Sequence, residues 1–273
     1  MQRDDYELTW EQSVQWLKNQ PDQDALIKAC YFDDPLAAAA ARYHQSKEWQ
    51  AIRALLSPVR GSALDIGSGR GISAFALAKD GWHTTALEPN PGDLVGAGAI
   101  RRLASETETE ICVVQTWGED LPFQDCSFDI VHARQVLHHA RDLGQLCREI
   151  SRVLKPNGKM IATREHVLSK KSDLGAFLDA HPLHHLYGGE NAFTLDEYLG
   201  AVTNAGIRLI KVLNPLESEI NTHPETIRSV KERLAQKLRL PSAAFVPSFL
   251  LSLVGKLSSS PGRLYTFVGE KSR

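Results

Sequence analysis

The sequence predicts an α/β fold: a doubly wound, mostly parallel sheet of seven strands, with a helical segment before it and a helical insertion before the last strand. Two features point there. From Ser62 onward, short and nearly continuous apolar runs alternate with longer amphipathic ones. Strands that are apolar on both faces and separated by helices imply a parallel sheet covered on both sides. The chain has 273 residues, 42% of them hydrophobic and 23% charged, an ordinary balance for a chain that can bury a large core.

Residues 1–60 read as helical, since Trp10, Val14 and Leu17 share one helical face and the stretch from Leu36 to Tyr43 is rich in alanine. Ser57-Pro58 ends that segment. The first strand is expected over 62–66 and is followed by a Gly-rich turn and a helix through Lys79. A second strand over 83–88, a helix over about 91–105, a third strand over 110–115 and a fourth over 127–132 come next. A helix carrying Leu146, Ile150, Val153 and Leu154 ends at Lys155-Pro156-Asn157-Gly158, before a fifth strand over 159–163. Thr194 and Glu197 form a capping box for a helix that closes near Gly206. A sixth strand over 207–213 and a seventh over 264–268 complete the sheet. The expected division is a helical cap over 1–60 and a main domain over 61–273, with a lid over 167–193 and a helical insertion over 215–262.

In an open parallel sheet the ligand sits beyond the carboxyl ends of the strands. Asp65-Ile66-Gly67-Ser68-Gly69-Arg70-Gly71 lies at such an end and opens a helix, and Glu88 ends the next strand. Glycines let the backbone approach a ligand, and a carboxylate after the second strand can accept from vicinal ribose hydroxyls. The dinucleotide fingerprint wants a third glycine where Ile72 stands. Asp65, directly before the loop, suits a cationic ligand group better than an anionic pyrophosphate.

ALDIGSGRG, ALEPN, GEDLPFQDCSFDIV, VLHH and REISRVLKPNGKM, in this order, resemble the successive motifs of class I S-adenosylmethionine-dependent methyltransferases, in the broad group that includes the quinone C-methyltransferases. The resemblance covers about residues 61–163 and implies a Rossmann-like methyltransferase fold whose seventh strand is antiparallel between the fifth and sixth. It implies S-adenosylmethionine as cofactor, with Asp65, Gly67, Ser68 and Gly69 at its methionine part and Glu88 on the ribose. Pro89 and Asn90 would lie beside the adenine, Asp120 (or Glu119) would accept from its amine with Leu121 packed nearby, and Ala133 and Arg134 would flank the methionine tail. The family usually joins its last two strands by a short hairpin, whereas here Asn214 to Arg263 intervenes. The expected activity is methyl transfer to a small-molecule or glycan-type acceptor, with oxygen favoured. The alternatives are an NAD(P)-dependent oxidoreductase and a catalytically inactive cofactor-binding module.

Seven of the ten histidines lie between 132 and 185. An alcohol acceptor needs a base, and histidine serves near neutral pH. His139 and His166, each expected just past a strand end, are the candidate bases, and Glu165 would orient an imidazole or bind acceptor. Arg134 and Arg164 are candidates for an acceptor carboxylate or phosphate. His166, His184 or His185 with Glu165 or Glu190 has metal-ligand chemistry, but no spacing matches an established motif and no metal is expected.

Lys and Arg total 31 against 33 Asp and Glu, a formal charge of −2, which lacks the footprint of a nucleic-acid binder. Cys30, Cys112, Cys126 and Cys147 show no CxxC pair and are expected to be reduced thiols. The polar start without an apolar run reads as no secretory signal, no stretch is long enough to span a membrane, and the expected location is cytoplasmic. The apolar segment 243–257 follows a basic helix. It reads first as a core or dimer helix over the acceptor pocket and second as a peripheral membrane contact for a lipid-linked acceptor; a homo-oligomer stays open.

Overall fold

The structure, a computed structural model, describes residues 8–272. The chain begins with four helices: α1 (Trp10–Lys18), α2 (Asp24–Ala29), α3 (Leu36–Gln45) and α4 (Lys47–Arg53). Thr9 caps α1 in a capping box with Gln12, and Ser46 caps α4 by accepting from the Trp49 amide. Next come β1 (Ser62–Ile66), α5 (Ile72–Lys79), β2 (His83–Leu87), α6 (Ala97–Glu106), β3 (Ile111–Val114), β4 (Phe128–Arg134), α7 (Leu143–Val153) and β5 (Leu154–Leu168). The remainder holds α8 (Leu174–Ala180), α9 (His184–Tyr187), β6 (Phe193–Thr194), α10 (Leu195–Asn204), β7 (Ile207–Leu213), α11 (Glu219–Thr222), α12 (Ile227–Lys237), α13 (Ser248–Leu257) and β8 (Arg263–Lys271).

The sheet runs β3-β2-β1-β4-β5-β8-β7, with β6 added at the end of β5. β8 is antiparallel to both β5 and β7, as the resemblance implied. The order reverses between β1 and β4, which places the ligand crevice over the Ile66↔Ala133 end of that pair. Alternate residues face opposite layers: Leu64 and Val131 join the core shared with α7 and α10, while Ala63 and Ile130 join the core shared with α3, α4 and α5.

Two expectations need correction. The sheet holds an eighth strand, the two-residue β6, which no sequence period marks. β5 also starts at Leu154 and runs past Thr163, so Glu165 and His166 are strand residues, paired with Tyr265 and Leu264, and lie within the strand and not beyond its end as expected. Bulges explain both ends. The Pro156–Gly158 turn is absorbed where Phe128 pairs with Leu154 and Ile130 with Lys159. A second irregularity lies between Ala162 and Glu165 against β8, with Arg164 at φ +60°.

The insertion does not line the cavity described below. Val230, Ala235, Val246 and Leu251 make a small core of their own. Phe245 and Phe249 are exposed, so 243–257 is not packed over the acceptor side as first expected. No helix among the described residues is long and apolar enough to cross a membrane.

Candidate functional site

A cavity of about 850 Å³ opens at the carboxyl ends of β1, β2 and β4, near the upper end of the ~300–1,000 Å³ range of small-molecule sites. Its floor is the loop after β1. Gly67 has φ +61°, and a Cβ there would lie 2.7 Å from the Val136 side chain. Gly69 has φ +54° and faces open space, its nearest would-be Cβ neighbour being Val95 at 4.0 Å. Ser68 ties the loop down, its Oγ donating to the Asp65 carbonyl at 2.8 Å.

Glu88 is clamped where β2 ends. Its Oε2 accepts from the Gly69 amide at 2.7 Å and its Oε1 from the Asn90 amide at 3.0 Å. Burial pushes its carboxyl above the usual range, and the two amides oppose that rise. Each oxygen retains acceptor capacity beyond one amide.

Asp65 and His132 are register partners across β1 and β4, and Asp65 Oδ1 lies 2.7 Å from His132 Nδ1. Both residues are buried, and Asp65 Oδ2 is enclosed without a partner among the described residues. An orphaned buried carboxylate oxygen beside a cavity calls for a donor from a ligand.

A charged layer sits deeper, between the sheet and the N-terminal helices. Glu48 of α4 accepts from Arg134 Nε at 2.7 Å and Arg134 Nη2 at 3.2 Å. Arg164 Nε lies 3.9 Å from Glu48, too far for a hydrogen bond, and is buried without a partner among the described residues. Its Nη1 donates to the Ile220 and His223 carbonyls at 2.7 and 3.0 Å. Burial opposes ionisation of Glu48, but Arg134 and then Arg164 override it and hold the carboxyl below its ordinary value. Two guanidiniums against one carboxylate leave the layer positive, and both arginines line the cavity.

Opposite the glycine loop stands a wall of imidazoles: His138, His139, His166 and His181, with Glu190. His138 Nδ1 lies 2.8 Å from Glu165 Oε2, His139 Nδ1 3.0 Å from the Gly189 carbonyl and His166 Nδ1 2.8 Å from the Gly262 carbonyl. Burial, reinforced by neighbouring imidazoles, pushes His138 well below its usual value. Burial brings His166 down to about 4, against the Gly262 carbonyl. Burial takes Glu165 up to about 7, against the Val136 and His138 amides that it accepts from.

Of the residues expected from sequence, Asp65, Gly67, Ser68, Gly69, Glu88, Pro89, Asn90, Glu119, Arg134, His139 and His166 line this one cavity. Glu165, Ala133 and Leu121 are buried behind it, and Asp120 is exposed to its side. Glu165 therefore acts through the turn it braces and cannot touch acceptor. Ala133 points into the core of the sheet, and Leu121 belongs to the same core. Glu119 is the acidic residue of its pair that reaches the cavity, held by the Arg141 amide at 2.9 Å. His184 and His185 lie off the cavity. All four cysteines are free thiols.

Sequence reasoning missed the cavity's cover. Leu8, Trp10, Leu17 and Tyr31 from the N-terminal segment line it, and the Trp10 ring packs 4.7 Å from Tyr187. It also missed Trp117, half exposed on the rim with Arg141 over its ring at 4.5 Å. A tryptophan two residues past an expected strand end is a signal that could have been used.

Residues 64–162 match the sequence family described as "Methyltransferase domain". The chain is 36% identical over 119 residues to a glycine/sarcosine/dimethylglycine N-methyltransferase of Actinopolyspora halophila, covering 42% of this chain and 21% of that protein. It is 38% identical over 108 residues to a demethylmenaquinone methyltransferase of Clavibacter sepedonicus, covering 39% and 42%. The chain thus spans less than half the length of either relative. Among solved structures, a geranyl diphosphate methyltransferase in complex with GPP and sinefungin superposes with a TM-score of 0.60 at 17% identity, over 86% of this chain and 83% of that one. At that identity the likeness concerns the fold, and the fold agrees with the strand order above. Glycine loop, strand order and motif match agree: residues 64–162 of this chain match the methyltransferase-domain family, and the strand order is that of the superposed methyltransferase fold.

Proposed function

We propose that the chain is a methyltransferase that uses S-adenosylmethionine to methylate an oxygen of a small-molecule acceptor. One observation carries it: a single cavity joins a clamped ribose-type carboxylate, Glu88, and an orphaned carboxylate oxygen, Asp65 Oδ2, to a wall of imidazoles. These residues fit the cofactor. Glu88 would take its ribose hydroxyls, Asp65 Oδ2 its ammonium group, and the open face of Gly69 leaves room for its chain. When bound, the cofactor supplies a methyl group on a sulfonium sulfur and leaves as a neutral thioether.

The protein's part is positioning and proton removal. His166, its Nδ1 turned to Gly262, offers Nε2 to an acceptor hydroxyl. An imidazole so weakened by burial is neutral at pH 7 and takes a proton only from an acidified hydroxyl. His139, exposed at the rim, turns Nδ1 to the Gly189 carbonyl and presents its other nitrogen toward the acceptor side. Arg164, with Nε unpartnered, favours an acceptor that bears a carboxylate or phosphate.

Calorimetric titration tests this. Binding of S-adenosylhomocysteine and not of NAD is expected, and the reverse selects the oxidoreductase reading. Tight nucleoside binding with no methyl transfer to any phenolic or hydroxy-acid acceptor selects the inactive binding module.

A lipid-linked acceptor is favoured by one feature, the exposed Phe249 and Leu257 of α13 beside the basic Lys231 and Lys237 of α12. Co-sedimentation with anionic but not neutral vesicles is then expected.

A further inference from the structure

Glu190 is an unusual group to find at the cavity wall. Its side chain is only 4% exposed, yet the nearest imidazole nitrogens, His181 Nε2 and His138 Nε2, stand off at 3.7 and 3.8 Å, beyond hydrogen-bond reach. The Tyr187 hydroxyl donates to its Oε1. No Lys or Arg pairs with it among the described residues. A buried carboxylate without a countercharge is costly, and the missing element is a cation.

The surrounding imidazoles are arranged to receive one. His138 and His139 each turn Nδ1 outward, to the Glu165 carboxylate and the Gly189 carbonyl. An Nδ1–H committed outward leaves Nε2 as a bare lone pair, the arrangement by which an outer acceptor fixes the tautomer of a metal-bound histidine. One ligand atom from each of His138, His139 and Glu190 lies within 4.8 Å of the other two. Around an ion with bonds of about 2.1 Å, ligand atoms sit roughly 3–3.5 Å apart, so the widest pair closes in by no more than about 1.5–2 Å.

We propose that His138, His139 and Glu190 form a binding site for one divalent transition-metal ion, open toward the cavity. Two imidazoles and one carboxylate suit zinc, manganese, iron(II) or cobalt(II) better than calcium or magnesium, which prefer all-oxygen shells. Glu165 positions the site from behind: it holds His138 through Nδ1 and receives the Val136 and His138 amides. On the proposed methyltransferase reading, the open positions would polarise an acceptor oxygen and acidify its hydroxyl, which is what the weak base His166 requires. Metal binding itself does not depend on that reading.

The test is titration of the chelator-treated full chain with cobalt(II), followed by its visible d–d absorption and by displacement with zinc. One equivalent is expected to bind. Exposed His139→Ala, which leaves the buried wall intact, and Glu190→Gln should each weaken binding at least tenfold. Glu165→Gln should weaken it roughly ten- to a hundredfold, as loss of an outer partner does. Absence of a d–d band, or cobalt affinity unchanged in His139→Ala and Glu190→Gln, overturns the site. S-adenosylhomocysteine binding measured on the same samples reports the other end of the cavity, so loss of the metal proposal and loss of the methyltransferase reading give different results.

Discussion

Glu165 Oε2 lies 2.8 Å from His138 Nδ1, and both side chains are at most 1% exposed. The same carboxylate takes the amides of Val136 and His138, so one acid on β5 shapes the turn after β4 that carries two cavity histidines. Val136 is also the side chain against which Gly67 packs, and the brace therefore reaches the cofactor loop.

Replacing Glu165 by Gln should change the pH dependence of stability. Its folded-state value of about 7 lies above its ordinary 4.5. Between those values the folded state holds a proton that the unfolded state has released, so this contribution is full below about pH 4.5 and is lost as pH rises through 7. Urea unfolding across that range should show the wild type declining relative to Glu165→Gln; parallel curves would remove Glu165 as the titrating group.

His166 works in the opposite sense. Burial brings it from 6.5 to about 4, so its contribution is present above pH 6.5 and disappears as pH falls through 4. His166→Gln should blunt that acid-side loss, on the order of a few kcal/mol. The same variant should lower kcat far more than cofactor affinity if the Nε2 atom takes the acceptor's proton.

Glu88→Ala should weaken S-adenosylhomocysteine binding by roughly 1–3 kcal/mol, because a charged acceptor is lost and the Gly69 and Asn90 amides lose their partner. Calorimetry reads this directly, and unchanged affinity would place the ribose elsewhere.

Glu48→Gln should destabilise the fold by about 3–5 kcal/mol, since Arg134 and Arg164 would remain buried without a countercharge. A shift of the urea midpoint checks it. A loss below about 1 kcal/mol would mean that solvent already screens the pair.

The two loop glycines should separate strain from collision. Gly69→Ala meets open space and pays only for its left-handed backbone, about 1–2 kcal/mol. Gly67→Ala adds a 2.7 Å contact with Val136 and should lose more stability than Gly69→Ala, whose methyl would instead enter the space left for the cofactor. Equal effects would show that Val136 moves aside freely.

Local features of this chain were legible without coordinates. The alternation from Ser62 to Thr163, the Gly67–Gly71 turn, the Thr194–Glu197 capping box and Glu88 all express rules that act over a few residues. Tertiary structure decided the rest. Glu48 meets Arg134 across 86 positions and His138 faces Glu190 across 52, and neither meeting leaves a spacing that a short-range pattern could register. β5 ran on past Thr163 because β8, a hundred residues later, supplied partners for Glu165 and His166. Periodicity tells each segment which face to bury. Only closure of the sheet, with the N-terminal helices laid over it, determines which distant charges must share one dry space.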